Sequence, residues 1–241
     1  MLSEKPWKPD RVVWLLAGFF STMLLASMVV VGYREISQDT VTNQLVVFLV
    51  GIFTFHGVTL VLVNIFLGQH NISWSQAFGF REPRLGRTIF LGALVSILLL
   101  PVALSLSELS SHLLKYIGMA ADPQQAVQMM RQSTSMVQLI IQGIAAVAFA
   151  PVVEELVFRG ILYPAVKRNG HPKFALWGVS FFFALTHSNL TVILPLTVLA
   201  IILTFLYETT RNLLAPIIAH SLFNAANFAF LVFQRYQEGA L

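Results

Sequence analysis

Seven mainly apolar windows, most of them roughly 20 residues long, follow one another along the chain and match the length a helix needs to cross a bilayer. Of 241 residues, 56% are hydrophobic and 11% are charged, whereas about 25% of the residues in a soluble domain are charged. Because lipid cannot satisfy backbone polar groups, these windows predict helices. The predicted fold is all-α, a polytopic transmembrane helical bundle of about seven spans, with six to eight left open. The windows lie at about 12–33, 43–67, 88–106, 136–166, 172–187, 190–208 and 213–233.

The fourth and fifth windows predict that the bundle is irregular. As one straight helix, window 136–166 would reach about 46 Å, more than the ~30 Å hydrocarbon core requires. Pro151 is predicted to kink it. The fifth window is short, and residues 188–190 link it tightly to the sixth. We therefore expect an irregular polar cavity within the membrane.

Lysine and arginine residues collect in alternate connections. Ten lie on the N-terminal side of the membrane, four lie on the opposite side, and Arg159 is left inside it. This bias predicts a multi-pass cell-membrane protein with its N-terminus in the cytoplasm and its C-terminus outside. The net charge of +4 reflects the same attraction to an anionic inner leaflet and indicates no nucleic-acid partner. The ten are Lys5, Lys8, Arg11, Arg81, Arg84, Arg87, Lys167, Arg168, Lys173 and Arg211, and the four are Arg34, Lys115, Arg131 and Arg235.

Several function classes are disfavoured by what the sequence lacks. Without cysteine, the chain has no disulfide, thiolate metal site or cysteine nucleophile. No internal repeat is evident, which argues against an inverted-repeat transporter. The first window is long, so we expect it to be a retained span and not a cleaved signal peptide.

One segment outside the windows has its own pattern. From residue 106 to residue 117, leucine and isoleucine recur at helical spacing between polar residues, and Gly118 follows as a stop signal. This predicts an amphipathic helix on the outer surface. Residues 122–135 are predicted to form a polar loop or short helix, with a connecting role favoured over a substrate gate.

Three charged residues lie well inside the fourth apolar window: Glu154, Glu155 and Arg159. Residues four apart share a helix face, so Glu155 and Arg159 are expected to pair. Glu154 lies about 100° around the axis, without that partner, and burial disfavours its ionised form. It is therefore a candidate proton acceptor. A buried Glu–Arg clamp is the structural alternative, but a clamp needs only one glutamate, and ionisable residues inside a membrane are functional candidates by default.

Two later windows contribute polar groups at similar depth. The sequence "FALTH" ends in His187, and "HSLFN" places His220 and Asn224 four residues apart on one helix face. We expect these groups to converge with Glu154 in one cavity. For His56, in "FTFHG", we favour a packing or interhelical hydrogen-bonding role.

Together these motifs resemble a known family. "EELVFR" fits Glu-Glu-x-x-x-Arg, "FALTH" fits Phe-x-x-x-His and "HSLFN" fits His-x-x-x-Asn, in the order and spacing of the CAAX proteases and bacteriocin-processing enzymes, the CPBP or Abi family. The resemblance covers roughly 136–230. We accordingly divide one continuous membrane domain into residues 1–135, with the N-terminal spans and the outer amphipathic segment, and residues 136–241, with the helices of a CPBP-type catalytic core.

The resemblance implies an intramembrane endopeptidase similar to the CAAX prenyl protease. Glu154 would activate the attacking water with His187, and His220 and Asn224 would hold the oxyanion. Glu155 and Arg159 would support them. The implied partner is a membrane-associated peptide or protein substrate within the lipid bilayer, either a membrane-bound peptide, a leader sequence or another membrane protein.

Metal dependence and activity leave alternatives open. Members of this family are often labelled metalloproteases, and zinc would take Glu154, His187 and His220 as ligands. Since the His-Glu-x-x-His helix is missing, we favour no cofactor. Two non-enzymatic alternatives are a membrane immunity or regulatory protein of the same family and a proton-coupled carrier.

Overall fold

The computed structural model describes residues 5–36, 46, 48–81, 84–133 and 135–239. All regular secondary structure in this part of the chain is helical. The start of the second apolar window (43–45 and 47) and Thr134 lie outside the described residues. Nine helices are present in the described part. They are α1 Pro9–Ile36, α2 Phe48–Gln69, α3 Trp74–Phe78, α4 Leu85–Tyr116, α5 Gln125–Arg131, α6 Met136–Arg168, α7 Pro172–Leu185, α8 Leu190–Thr210 and α9 Leu214–Gln237.

The prediction of a polytopic helical bundle is confirmed. Within the described residues, six helices are long and apolar enough to cross a membrane: α1, α2, α4, α6, α8 and α9. Helix α7, at the position of the fifth window, has 14 residues and reaches only about 21 Å. The polypeptide therefore forms a multi-pass membrane bundle in which α7 is too short to span the hydrocarbon core without local thinning of the bilayer.

The amphipathic segment after the third window is helical but is not a separate helix. Helix α4 continues without interruption from Leu85 to Tyr116, so residues 106–116 are helical as expected and extend the third span. Between these residues no helix-stopping sequence occurs, and the internal Pro101 is accommodated in the helix. The last turns of α4 expose Leu109 and Leu113, as the apolar spacing predicted. Residues 122–135 contain the short helix α5, consistent with the expected loop or short helix.

Two apolar clusters form most of the core: one joins α6 to residues of α1, α2, α3, α7 and α8, and the other joins α4, α8 and α9. Small residues set these distances: a Cβ added to Gly92 on α4 would lie 2.9 Å from the carbonyl oxygen of Ala215 on α9. Polar links fix the helix ends. The indole of Trp7 donates to the Gly160 carbonyl of α6 at 3.1 Å, and Arg235 of α9 donates to the Met130 carbonyl at the end of α5 at 2.8 Å. The bundle thus holds α6 between α9 and the segment preceding α1.

Candidate active site

The central helix α6 departs from regular α-helical geometry on both sides of the glutamate pair. Residues Ala145–Phe149 and Leu156–Leu162 form π-helical turns, and a short α-helical stretch, Ala150–Glu155, lies between them. Pro151 begins that stretch, and the helix continues through it from Met136 to Arg168. A π-turn widens the helix and rotates the residues that follow, a device frequent at functional sites.

Glu155 lies at the centre of a buried hydrogen-bonded chain. Arg159 Nη1 donates to Glu155 Oε1 at 2.7 Å, the i,i+4 contact expected from the sequence. His220 Nδ1 donates to the same oxygen at 3.0 Å. All three side chains are almost completely inaccessible to solvent. One carboxylate oxygen therefore ties helix α9 to helix α6.

Glu154 faces the other nitrogen of the same imidazole. Its Oε2 lies 3.8 Å from His220 Nε2. The Glu154 side chain is 15% exposed, whereas that of Glu155 is 0% exposed. The two glutamates are thus distinguished by access: Glu155 is sealed in the helix contact, and Glu154 is the carboxylate that a water molecule or a substrate can reach.

Asn224 lies one turn after His220 on α9 and contacts α6 as well. Its Nδ2 donates to the Ala146 carbonyl at 2.8 Å, within the first π-turn of α6. The amide nitrogen of asparagine carries two hydrogens, so one remains for another acceptor. Asn224 and His220 therefore present donors along one face of α9.

His187 reaches this group indirectly. It lies two residues after the end of α7 and is half-buried. Its Nδ1 donates a hydrogen bond to the Phe183 carbonyl at 2.9 Å, so Nε2 of the neutral ring is an acceptor. Among the described residues no hydrogen bond or ion pair joins His187 to Glu154. The structure therefore brings Glu154, Glu155, Arg159, His220 and Asn224 together, with His187 in the next layer.

Phe183 connects the two histidines, a role that sequence analysis missed. Its buried ring lies 4.9 Å from the His187 ring and 6.0 Å from the His220 ring, measured between centroids. The guanidinium carbon of Arg159 lies 4.5 Å from the centroid of the same ring. This cation–π contact supplements the single hydrogen bond from Arg159 to Glu155. The phenylalanine of the "FALTH" motif was the available signal.

The charged pair is not fully satisfied. Glu155 Oε2 and Arg159 Nη2 are buried and have no hydrogen-bond partner in the described part of the protein. Buried polar groups of this kind usually mark a functional or hydrated site. The hydrogen-bonded group of Arg159, Glu155 and His220 therefore has one acceptor, Glu155 Oε2, and one donor, Arg159 Nη2, available to a further polar group.

The side chains do not form a ready-made metal site. Among the described residues no three or more histidine, aspartate or glutamate side chains are arranged to hold a metal ion. In particular, His187 is not placed beside Glu154 and His220 as a third ligand. The residues proposed as zinc ligands from the sequence thus do not fit that role in this arrangement.

Residues 136–226 match the model of the Rce1-like family, whose description is "Type II CAAX prenyl endopeptidase Rce1-like". This segment is similar to the Rce1-like family, and residues 136–226 are named the Rce1-like domain after that match. The match confirms the resemblance inferred from the three motifs. The Rce1-like domain includes every candidate residue from Glu154 to Asn224, whereas α1, α2 and α4 lie outside it. The family is one of CAAX proteases, which are peptide hydrolases. Comparison of the chain with curated proteins and with solved structures gives no match.

Proposed function

We propose that this protein is an intramembrane endopeptidase that hydrolyses a peptide bond of a membrane-associated peptide or protein. The observation that carries the proposal is the pair of carboxylates around His220: Glu155 Oε1 at 3.0 Å from Nδ1 and Glu154 Oε2 at 3.8 Å from Nε2. One carboxylate is sealed and orients the ring. The other is accessible and stands next to it, where a reacting water would be shared.

Glu154 acts as the base for that water. As the water oxygen bonds to the carbonyl carbon of the substrate, one of its protons passes to Glu154. When the carbon–nitrogen bond breaks, Glu154 returns the proton to the leaving amine. His187 assists Glu154 through Nε2, which accepts a hydrogen bond from the Glu154 carboxyl once that group has taken the proton; the Nδ1 hydrogen of His187 is held by the Phe183 carbonyl. Catalytic hydrogen bonds are commonly long in the absence of substrate, so His187 is assigned a role that substrate binding completes.

His220 and Asn224 stabilise the oxyanion of the tetrahedral intermediate. In the imidazolium form, His220 donates through Nδ1 to Glu155 and keeps the Nε2 hydrogen for the substrate oxygen. The second hydrogen of Asn224 Nδ2 adds another donor on the same face of α9. Preorganised donors of this kind, held by the bundle before substrate arrives, are among the strongest contributors to catalysis.

Glu155 and Arg159 position His220 without touching the substrate. Arg159 compensates the charge of Glu155, and Glu155 fixes the orientation of the imidazole ring. An imidazole held through Nδ1 by a carboxylate has a defined orientation for its Nε2. The first motif of the family is thus divided between a reacting residue, Glu154, and two positioning residues.

The substrate enters from the lipid bilayer, because the site residues lie on helices of a bundle with six apolar candidate membrane spans among the described residues. The excess of basic residues in the connections on one side supports a cytoplasmic N-terminus and a C-terminus outside the cell membrane, an orientation that requires α7 to cross as a seventh span beside the six long helices. The proposal requires neither a metal nor another cofactor: base, donors and proton carrier are all provided by side chains.

The proposal is tested with purified protein in detergent and a diverse peptide mixture, with new termini read by mass spectrometry. We expect cleavage by the wild type and none by Glu154→Gln, which keeps the side-chain shape and removes the base. Peptide binding by Glu154→Gln should be unchanged. Equal cleavage by both proteins would contradict the proposal. Specific peptide binding without cleavage by either protein would instead favour the immunity or regulatory alternative.

A further inference from the structure

His56 lies on α2, outside the Rce1-like domain, in a π-helical turn that covers Phe53–Gly57. Its Nδ1 lies 3.0 Å from the Ile52 carbonyl oxygen. A carbonyl oxygen only accepts hydrogen bonds, so Nδ1 carries the hydrogen and Nε2 of the neutral ring carries the lone pair. The tautomer of His56 is therefore set by the backbone of its own helix.

Nε2 of His56 is buried and has no hydrogen-bond partner among the residues that the structure describes. His70, at the end of the same helix, provides a contrast. Its Nδ1 also bonds to a carbonyl four residues earlier, that of Phe66, but its Nε2 accepts a hydrogen bond from the Lys8 backbone at 3.1 Å. His70 is thus a satisfied structural histidine, whereas His56 keeps a buried acceptor without a donor.

The ring that carries the unpartnered nitrogen contacts α6 and lies within the electrostatic reach of Glu154. The His56 ring lies 6.2 Å, between centroids, from that of Phe149, five residues before Glu154. Glu154 also acts electrostatically on the His56 ring. A carboxylate and an imidazole lone pair are both acceptors. They are compatible in one cavity when a molecule with two hydrogens to donate, such as water, lies between them.

We propose that His56 is a further catalytic residue, whose Nε2 accepts a hydrogen bond from the water that Glu154 activates. This inference rests on the function proposed above. Glu154 takes one hydrogen of the water as the new carbon–oxygen bond forms, and the second hydrogen stays on that oxygen and remains bonded to His56. His56 therefore orients the attacking lone pair, and its own protonation does not change. The packing role expected for His56 from the sequence does not account for the unpartnered nitrogen.

The consequence is that the reacting centre extends beyond the Rce1-like domain. Helix α2 contributes a side chain to a site otherwise assembled from α6, α7 and α9. Packing of α1 against α2 holds this helix in place. The N-terminal helices then have a direct part in the chemistry of the site.

Three variants separate a catalytic role from a packing role. His56→Phe keeps the aromatic contact and removes both nitrogens, His56→Gln places an amide near the position of Nε2, and His70→Phe makes the same change at the satisfied histidine. We expect His56→Phe to lower kcat about tenfold or more, the worth of one hydrogen bond made to the reacting water, with KM within about twofold of the wild type. Its Tm should fall less than that of His70→Phe, because both changes remove an Nδ1 bond to a carbonyl oxygen but only the change at His70 also removes a bonded Nε2. His56→Gln should recover part of kcat.

His70→Phe should show the reverse pattern: a lower Tm and an unchanged kcat in the folded protein. Unchanged kcat and KM in both His56 variants, with cleavage lost in Glu154→Gln, would overturn the role of His56 and leave the proposed function standing. A lower Tm with unchanged kcat in the His56 variants would identify a packing residue and would also overturn it. Absence of cleavage by the wild type would instead count against the proposed function itself.

Discussion

Glu155 Oε1 accepts hydrogen bonds from both Arg159 Nη1 and His220 Nδ1, at 2.7 and 3.0 Å. The first contact lies within α6 and the second joins α6 to α9, so a single oxygen atom couples the central helix to the helix that carries His220 and Asn224. Because both donors and the acceptor are buried, the loss of one partner leaves an uncompensated charge in a low-dielectric environment. This arrangement makes Glu155 and Arg159 structural determinants of the site geometry.

The first prediction concerns this buried pair. Arg159→Met keeps much of the side-chain volume but leaves Glu155 buried without its cation, which typically costs about 3–5 kcal/mol. We expect a clear decrease in the thermal unfolding temperature in detergent. The matched control is Glu108→Gln, because Glu108 and His112 form a pair at the same i,i+4 spacing with side chains that are 74% and 70% exposed. An exposed pair contributes little, so equal decreases in the two variants would contradict the prediction.

The second prediction concerns the oxyanion donors. Asn224→Asp keeps the side-chain shape and replaces the donor amide by an acceptor. If Asn224 holds the oxyanion, kcat should fall by roughly 10²–10³-fold, the effect of losing one such donor. Peptide binding to the ground state should change much less, which is measured by comparing kcat and KM. Asn224→Asp also loses the contact with the Ala146 carbonyl, so its folded fraction is checked by thermal unfolding. A change in KM alone, at unchanged kcat, would argue against an oxyanion role.

The third prediction concerns chelation. Since base, donors and proton carrier are assigned to side chains, peptide cleavage should survive treatment with a zinc chelator. Activity is measured before and after chelation, and again after zinc is added back. Loss of cleavage on chelation with recovery on zinc addition would reverse the assignment to a metal-free mechanism.

The fourth prediction concerns the link between α3 and the start of α9. Gly79 has φ +75°, and an added Cβ would lie 1.9 Å from the Arg211 carbonyl oxygen. Gly79→Ala should therefore destabilise the protein through both backbone strain and a clash with rigid backbone. Gly170→Ala is the control: Gly170 has φ +84° but open space around its Cβ position, so it carries only the strain, about 1–2 kcal/mol. A thermal unfolding temperature no lower for Gly79→Ala than for Gly170→Ala would contradict this packing.

Much of the helical architecture could be predicted from the sequence. Apolar windows locate the spanning helices closely because lipid imposes both a length and an internally satisfied backbone. Composition alone does not show where one helix ends and the next begins: the polar spacing after residue 106 predicts an amphipathic helix outside the bilayer, and in the structure that segment continues α4 to Tyr116. A change from lipid-facing to water-facing surface alters side chains and leaves the backbone hydrogen bonding of a helix unchanged.

The candidate site was predictable in its residue types and only partly in its contacts. The spacing of Glu155 and Arg159 predicts their pairing because both lie on one helix face, and that contact is present. The contact of His220 with both glutamates was not predictable, because it depends on how α9 lies across α6. The roles of Glu154, His187, His220 and Asn224 in catalysis stay predictions.

By itself, the sequence determined the membrane environment, the order of the helices and the three motifs of the Rce1-like domain, since each depends on local composition and short spacings. Only the tertiary structure decided that Glu155 is sealed while Glu154 stays accessible, that Phe183 connects two histidines, and that His56 of α2 contacts Phe149 of α6 with its Nε2 unpartnered among the described residues. These relations depend on the π-turns of α6 and on close helix packing. Both set the rotation of one helix against another, a quantity that no local pattern of residues encodes.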